Sequence, residues 1–135
     1  VVDAASSPSE ALAGRPPSRA FASFLEDLAK RFADVERNAP KVRVSFLGSN
    51  GAIQGTAQNT TSVVRSSTGV YLITFTAAFA DANFVAVAVA RSNVATIHTQ
   101  VATQTTTTCT ITTFTLAGVS ADPTGVEFVA FGEQA

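Results

Sequence analysis

Hydrophobic residues between Ser18 and Arg37 recur at the spacing of an α-helix. They stand alternately four and three positions apart, which places them on one face of a helix about two heptads long. Ser18 is suited to cap the first turn, and the stretch from Asn38 to Pro40 is suited to end the last. The pattern predicts one short amphipathic helix in residues 18–40, and its apolar seam consists of Phe21, Leu25, Leu28, Phe32 and Val35.

Two kinds of partner fit this seam. The helix can pack on its own domain, or it can join the same helix of other chains as a short coiled-coil bundle. Phe24 stands beside the seam and widens the apolar face, which favours three chains or packing on a sheet over a two-stranded zipper. In either case the seam is a candidate oligomer or packing interface.

The hydrophobic period falls to two after Pro40. Val42, Val44 and Phe46 alternate with polar residues, and clusters of Gly, Asn, Ser and Pro separate the later alternating runs. Six or seven short strands with regular turn signals are typical of an antiparallel β-sandwich. We therefore expect a mainly β, jelly-roll-like sandwich in residues 41–135, with strands at 42–46, 62–66, 70–76, 84–90, 94–103, 106–116 and 126–131.

One predicted strand, residues 84–90, is apolar on both faces. Val85, Val87 and Val89 share one face, and Phe84 shares the other with three alanines. A strand of this kind lies between two packed layers or between its own sheet and a neighbouring subunit. The three valines are therefore candidates for an interface.

Charge is scarce and unevenly placed along the 135 residues. Only 14% of the residues are charged, and the net charge of −1 argues against binding to nucleic acid. No run of 18 apolar residues is present, so membrane insertion is not expected. Residues 44–135 carry six charged side chains and all 18 threonines, which suit a strand face that meets water or a hydrated interface. So little charge is unusual for a free monomer.

Residues 1–17 are rich in Ala, Ser and Pro and have no sustained apolar period. Such a segment cannot bury enough apolar surface to order itself. We expect an extended N-terminal arm that is held by other chains.

Residues 69–84, GVYLITFTAAFADANF, carry a family likeness. They resemble the pattern GxYxVTFTxAFADANYxV of the β-domains of tailed-phage tail-fibre and related appendage proteins. The likeness spans about residues 51–132, and it includes a final short strand that runs into Phe131-Gly132.

This resemblance implies a trimeric β-sandwich displayed on the surface of a phage particle. Residues 1–50 fall outside it, and residues 1–40 would contact other virion proteins. The motif favours a tail-fibre-like appendage, and the length of the chain favours a small head-decoration protein. The chain would be a structural protein in either position.

Candidate catalytic groups are few, and we expect no enzyme, no cofactor and no metal. A Ser or Cys nucleophile would need His98, the one histidine, beside it, and Cys109 has no basic neighbour in sequence to activate it. The sandwich carboxylates are predicted to lie in turns or to face outward, which does not suit the facing pair of a glycosidase. Three copies of His98 around an axis could bind a metal, but an exposed strand histidine is the simpler interpretation.

A carbohydrate- or receptor-binding module without catalysis is the second hypothesis. Its target would be a host-surface glycan or receptor. Sugar sites use aromatic platforms, and this chain has no Trp and one tyrosine, Tyr71, which the strand pattern directs inward.

Overall fold

The computed structural model describes residues 18–135. The chain divides between Arg37 and Asn38 into two compact units, a helix and a β-domain. The arm predicted for residues 1–17 lies outside the described residues. The predicted helix and the β-sandwich are both confirmed.

Helix α1 runs over Arg19–Asn38. Ser18 caps it as expected, because its Oγ accepts a hydrogen bond of 3.2 Å from the Phe21 amide. Arg31 and Asp27 form an ion pair of 3.0 Å along its surface, which adds a few tenths of a kcal/mol to such a helix, about 0.3. None of the helix residues is buried.

Eight strands form two four-stranded antiparallel sheets. We call the sheet with the order β2-β1-β8-β5 sheet I, and the sheet with the order β3-β4-β7-β6 sheet II. The strands are β1 Val42–Leu47, β2 Ile53–Gln58, β3 Thr60–Ser67, β4 Val70–Phe75, β5 Val85–Arg91, β6 Ile97–Gln104, β7 Thr108–Thr115 and β8 Gly125–Phe131.

The sequence-based count of six or seven strands is one short, because strand β2 was not predicted. Ile53–Gln58 lies at the edge of sheet I and is exposed over most of its length, so its side chains need no alternation of apolar and polar residues. Strand β6 also begins at Ile97, later than the predicted Val94. The Ser92 side chain accepts weak hydrogen bonds from the Val94 and Ala95 amides and extends the turn.

The core lies between the two sheets and is built from alternate residues of the central strands. Phe75 packs edge-on against Phe79 and Phe84, with ring centroids 5.3 and 5.5 Å apart. The buried side chains are Val42, Val44, Phe46, Tyr71, Ile73, Phe75, Phe79, Phe84, Cys109, Ile111, Val126, Phe128 and Ala130. The inward direction predicted for Tyr71 is confirmed.

The Asp122 carboxylate connects the segment before β8 to the β3–β4 hairpin. Its Oδ2 accepts a hydrogen bond of 2.7 Å from Arg65 Nη2, and its Oδ1 accepts one of 2.8 Å from the Gly69 amide. The Tyr71 hydroxyl lies 3.0 Å from Oδ1 and 2.7 Å from the Gly48 carbonyl oxygen, so its one proton is shared between two acceptors. We call these contacts of Asp122 with Arg65, Gly69 and Tyr71 the Asp122 clamp.

Protonation in the clamp follows from its geometry. Burial alone would raise the pKa of Asp122, but the hydrogen bonds from Arg65, Gly69 and Tyr71 outweigh it and lower that pKa below its ordinary value of 3.8. Burial and the nearby carboxylate raise the pKa of Tyr71 to about 12. Asp122 is therefore ionised and Tyr71 is neutral at neutral pH.

Gly69→Ala should destabilise the sandwich far more than Gly118→Ala. Both glycines have positive φ, 68° and 79°, but a Cβ at Gly69 would stand 2.4 Å from the Thr113 carbonyl oxygen, and one at Gly118 would meet no atom within 4 Å. Backbone strain alone should cost about 1 kcal/mol at Gly118, and strain with steric overlap should cost roughly 3 kcal/mol at Gly69. Urea unfolding measures both, and equal losses would contradict this assignment.

Asp122→Asn should destabilise the protein at neutral pH and lose that effect in acid. A lowered folded-state pKa means that the carboxylate stabilises the fold above its ordinary pKa of 3.8 and stops doing so as the pH falls through the folded-state value. Urea midpoints of both proteins should therefore converge between about pH 5 and pH 2. Asp81→Asn is the matched control, since Asp81 Oδ1 accepts only the local Asn83 amide at 2.7 Å and an asparagine keeps that acceptor. A gap between wild type and Asp122→Asn that persists in acid would show that the carboxylate charge is not what stabilises the fold.

Candidate interaction surfaces

The outer face of sheet I carries an apolar patch at its β5 edge. Val85 pairs with Phe131 and Val87 with Val129 across the β5–β8 ladder, so these side chains leave the sheet on one side. Val85, Val87 and Val89 are 61%, 46% and 57% exposed. We call the surface formed by these three valines with Val129 and Phe131 the β5–β8 patch.

The opposite face of β5 closes the sandwich. Phe84 is buried, and Ala86 and Ala88 pack against the core. The prediction of two apolar faces is thus confirmed, and the structure separates their roles. The alanines face sheet II, whereas the three valines face away from it, so the valines are not part of the contact between the sheets.

Side chains from sheet II cover the open edge of β5. Thr99 Oγ1 donates a hydrogen bond of 2.6 Å to the Ala88 carbonyl, and Gln104 Nε2 donates one of 2.8 Å to the Phe84 carbonyl. Two edge carbonyls that could have paired with a strand of another chain are therefore satisfied. A partner at this edge would meet the valine face more readily than the backbone.

Polar groups border the β5–β8 patch. Glu127 accepts hydrogen bonds from Arg91 and from Ser45 Oγ, the latter at 3.2 Å. It also lines a groove of about 270 Å³ over β1 and β2, together with Arg43 and Gln54. The patch and its border have the apolar centre and polar rim that are typical of protein interfaces.

Sheet II has a different outer face. In the β4–β7 ladder, Leu72 pairs with Thr110, Val70 with Thr112 and Thr74 with Thr108 on the side away from the core. Threonine hydroxyls on this face alternate with Val64, Val70 and Leu72, of which Val64 is 50% exposed. The β5–β8 patch groups three exposed valines on one strand, so it is the stronger candidate for protein contact.

The seam of helix α1 is a second exposed apolar surface. Its five residues are between 36% and 67% exposed, and the neighbouring Phe24 is 58% exposed. Water is a poor environment for so many large apolar side chains on one helix. We call this surface the α1 seam.

The candidate catalytic groups lie apart from one another or hold the fold together. Cys109 is fully buried, and burial raises the pKa of its thiol to about 12. His98 is an exposed strand residue, as expected, and its ring lies 5.9 Å from that of Phe114. Among residues 18–135, no three His, Cys, Asp or Glu side chains come together as a metal site. Within the same range, no helix has the length and apolarity needed to cross a membrane.

Sequence reasoning missed the Asp122 clamp. The sequence places Asp122, with the other sandwich carboxylates, in a turn or facing outward, whereas in the structure it pairs with Arg65, which is 57 positions away. The only sequence feature that pointed to this ion pair is the small number of charged residues in the β-domain. An arginine and an aspartate in a domain with so few charges are favoured to pair, because an unpaired, partly buried charge is costly.

The comparisons with known proteins returned no match. No family model, no curated protein and no solved structure is significantly similar to this chain.

If copies of this chain associate through the β5–β8 patch, Val87→Lys should weaken that association without unfolding the protein. The valine is half exposed, so a lysine there can reach water, and the unfolding free energy should change by no more than about 1 kcal/mol. Thr110→Lys places the same charge at the centre of the outer face of sheet II and serves as the control. Sedimentation of both variants against wild type measures association. Equal behaviour of the two variants would show that the β5–β8 patch is not an interface.

Proposed function

We propose that this chain is a structural protein of a tailed-phage virion, present as a homotrimer on the surface of the particle. The observation that carries the proposal is the pair of exposed apolar surfaces, the β5–β8 patch and the α1 seam, in a chain with very little charge. Exposed apolar surfaces of this size often mark sites of contact with other chains. A trimer covers them with copies of the same chain.

The family resemblance of residues 51–132 supports the phage assignment, and the structure gives its most specific residues plain structural roles. Gly69 takes the positive φ of the β3–β4 turn, and Tyr71 donates to the Asp122 clamp. Phe79 and Phe84 stack in the core with centroids 4.2 Å apart. Asp81 accepts the Asn83 amide in the turn expected between the strands. The motif therefore builds a sandwich, which fits a structural role better than catalysis.

Within this proposal the sandwich and the α1 seam contact copies of the same chain, and the remaining surface of residues 1–40 contacts other virion proteins. The uneven charge supports the division, because 13 of the 19 charged residues lie in residues 1–43. A tail-fibre-like appendage and a head-decoration protein both satisfy it.

A glycan- or receptor-binding role without catalysis is the alternative. The groove over β1 and β2 offers Arg43, Gln54 and Glu127 as polar groups. Its aromatic residue, Phe128, is 1% exposed, and Tyr71 is fully buried, so neither ring can stack on a sugar. The geometry therefore favours the structural role.

Native mass measurement and labelling of particles test the proposal. The wild-type chain should have three times its 13.9 kDa mass over the micromolar range, and antibodies raised against it should label intact particles of the phage whose genome encodes it. A stable monomer would overturn the trimer. Unlabelled particles that lack the chain by peptide analysis would overturn the virion assignment, and specific binding on a glycan array would then support the alternative.

A further inference from the structure

Two loops at one end of the sandwich carry the most exposed large apolar side chains of the β-domain. Val94, between β5 and β6, is 88% exposed. Leu116 and Val119, in the loop after β7, are 75% and 62% exposed. We call the two loops, residues 92–96 and 116–119, the loop tip. Its apolar side chains project from the end of the domain instead of forming a flat face.

The two loops lie side by side. Ile97 pairs with Thr115 at the end of the β6–β7 ladder, so the loop before Ile97 and the loop after Thr115 leave sheet II together. The Thr124 hydroxyl donates a hydrogen bond of 3.3 Å to Asn93 Oδ1, which joins the first loop to the segment before β8. The exposed apolar side chains of both loops therefore belong to one surface.

The loop tip lies at the end of the sandwich opposite to the point where the chain enters it. Strand β1 begins at Val42, which pairs with Ala130 near the end of β8. Gly125, at the start of β8, pairs with Leu47 and with Arg91, the last residue of β5. The N-terminal part, which attaches to the particle under the proposed function, therefore joins the sandwich at the end away from the loop tip.

We propose that the loop tip docks on a lipid bilayer whose headgroups carry no net charge. Its three apolar side chains enter the border of the acyl region, and no segment crosses the bilayer. This contact goes beyond the proposed function, because the loop tip belongs to neither the β5–β8 patch nor the α1 seam.

Hydrogen bonds within the loops support a lipid partner. A backbone amide without a hydrogen-bond acceptor is costly in hydrocarbon. Ser92 Oγ accepts a weak hydrogen bond from the Val94 amide. In the second loop, the Val119 carbonyl accepts a hydrogen bond of 2.9 Å from the Thr115 amide, and the Thr115 carbonyl accepts one of 2.9 Å from the Gly118 amide. These amides can enter an apolar environment without losing their acceptors.

The charges at this end fit a lipid surface without net charge. Neither loop contains a charged residue. Arg91 precedes the first loop and pairs with Glu127, and Asp122 follows the second loop and pairs with Arg65. Docking therefore strips water from no unpaired charge in the two loops, and the loops offer no cluster of cations that would select anionic headgroups.

The composition of the loop tip favours lipid over a protein partner. Trp, Tyr and Arg anchor most protein contacts, and Leu and Val are under-represented among such anchors. The loop tip contains none of those three residue types. Beside Val94, a hollow of about 430 Å³ is lined by Ser92, Asn93 and Thr96, which offer uncharged hydrogen-bonding groups to a headgroup.

Vesicle flotation of the full-length chain tests the proposal. Phosphatidylcholine vesicles at about 1 mM lipid should carry most of the wild-type chain to the top of a density gradient. Val94→Ser and Leu116→Ser change side chains that are mostly exposed, so the fold should be kept. The double variant should bind at least about tenfold more weakly, because two side chains lose their burial in lipid. Val64→Ser makes the same change at a half-exposed valine of sheet II and should bind like wild type.

A fluorescent label locates the contact on the molecule. Val94→Cys and Val64→Cys are each labelled with an environment-sensitive nitrobenzoxadiazole group, and the native Cys109 is fully buried and should not react. When vesicles are added, emission of the label at position 94 should shift to shorter wavelength, and emission of the label at position 64 should not. Equal shifts would overturn the docking of the loop tip.

Other outcomes of the flotation experiment would also overturn the proposal. Wild type that stays at the bottom of the gradient does not bind this lipid. Binding that needs anionic lipid and is lost at high salt would be electrostatic. Binding kept by the double variant and lost in Phe32→Ser would place the lipid contact on the α1 seam. A changed native mass of the double variant would make the loop tip a contact between copies.

Native mass separates this proposal from the proposed function. A trimeric wild-type chain that does not float would overturn the lipid contact and leave the trimer standing. A monomeric wild-type chain that floats through the loop tip would overturn the trimer and leave the lipid contact standing.

Discussion

The hydrogen bonds to the Asp122 carboxylate hold the two sheets of this sandwich together at one end. Asp122 lies just before β8 of sheet I, and its partners lie on the β3–β4 hairpin of sheet II. The two side chains of the Arg65–Asp122 pair are about three-quarters buried. A partly buried charge is tolerated only when it is paired and hydrogen-bonded, so the position of the hairpin depends on this carboxylate staying ionised. Gly69 and Tyr71 both donate hydrogen bonds to this carboxylate.

The β-domain also has few charged side chains on its surface. Residues 44–135 contain two arginines, and both are engaged, Arg65 with Asp122 and Arg91 with Glu127. Threonine hydroxyls supply most of the polarity on sheet II, and they are neutral at every pH a protein meets. A domain wetted by hydroxyls has weak electrostatic repulsion between copies. Contact between two such sandwiches would meet little electrostatic repulsion, and burial of the half-exposed valines of β5 would favour it.

Much of this fold could be predicted from local patterns. The period of the apolar residues was enough for α1, β1, β4, β5 and β8, because each has one face that must be buried. Strand β2 has no such constraint at the edge of its sheet. The alternation along β5 assigned Val85, Val87 and Val89 to one face, but only the packing of the opposite face on the core shows that the valine face is the outer one. The Arg65–Asp122 pair is a contact between distant segments, and no local rule contains it.

The two apolar surfaces are suited to different tasks in an assembly. Valines on a sheet give a smooth face, and burying such a face is favourable at several offsets because the hydrophobic effect is not directional. The α1 seam repeats its large side chains at helical spacing, and such side chains pack into a partner helix as knobs into holes, which fixes the register of the contact. A contact through the β5–β8 patch would therefore contribute affinity, and a contact through the α1 seam would contribute a defined register.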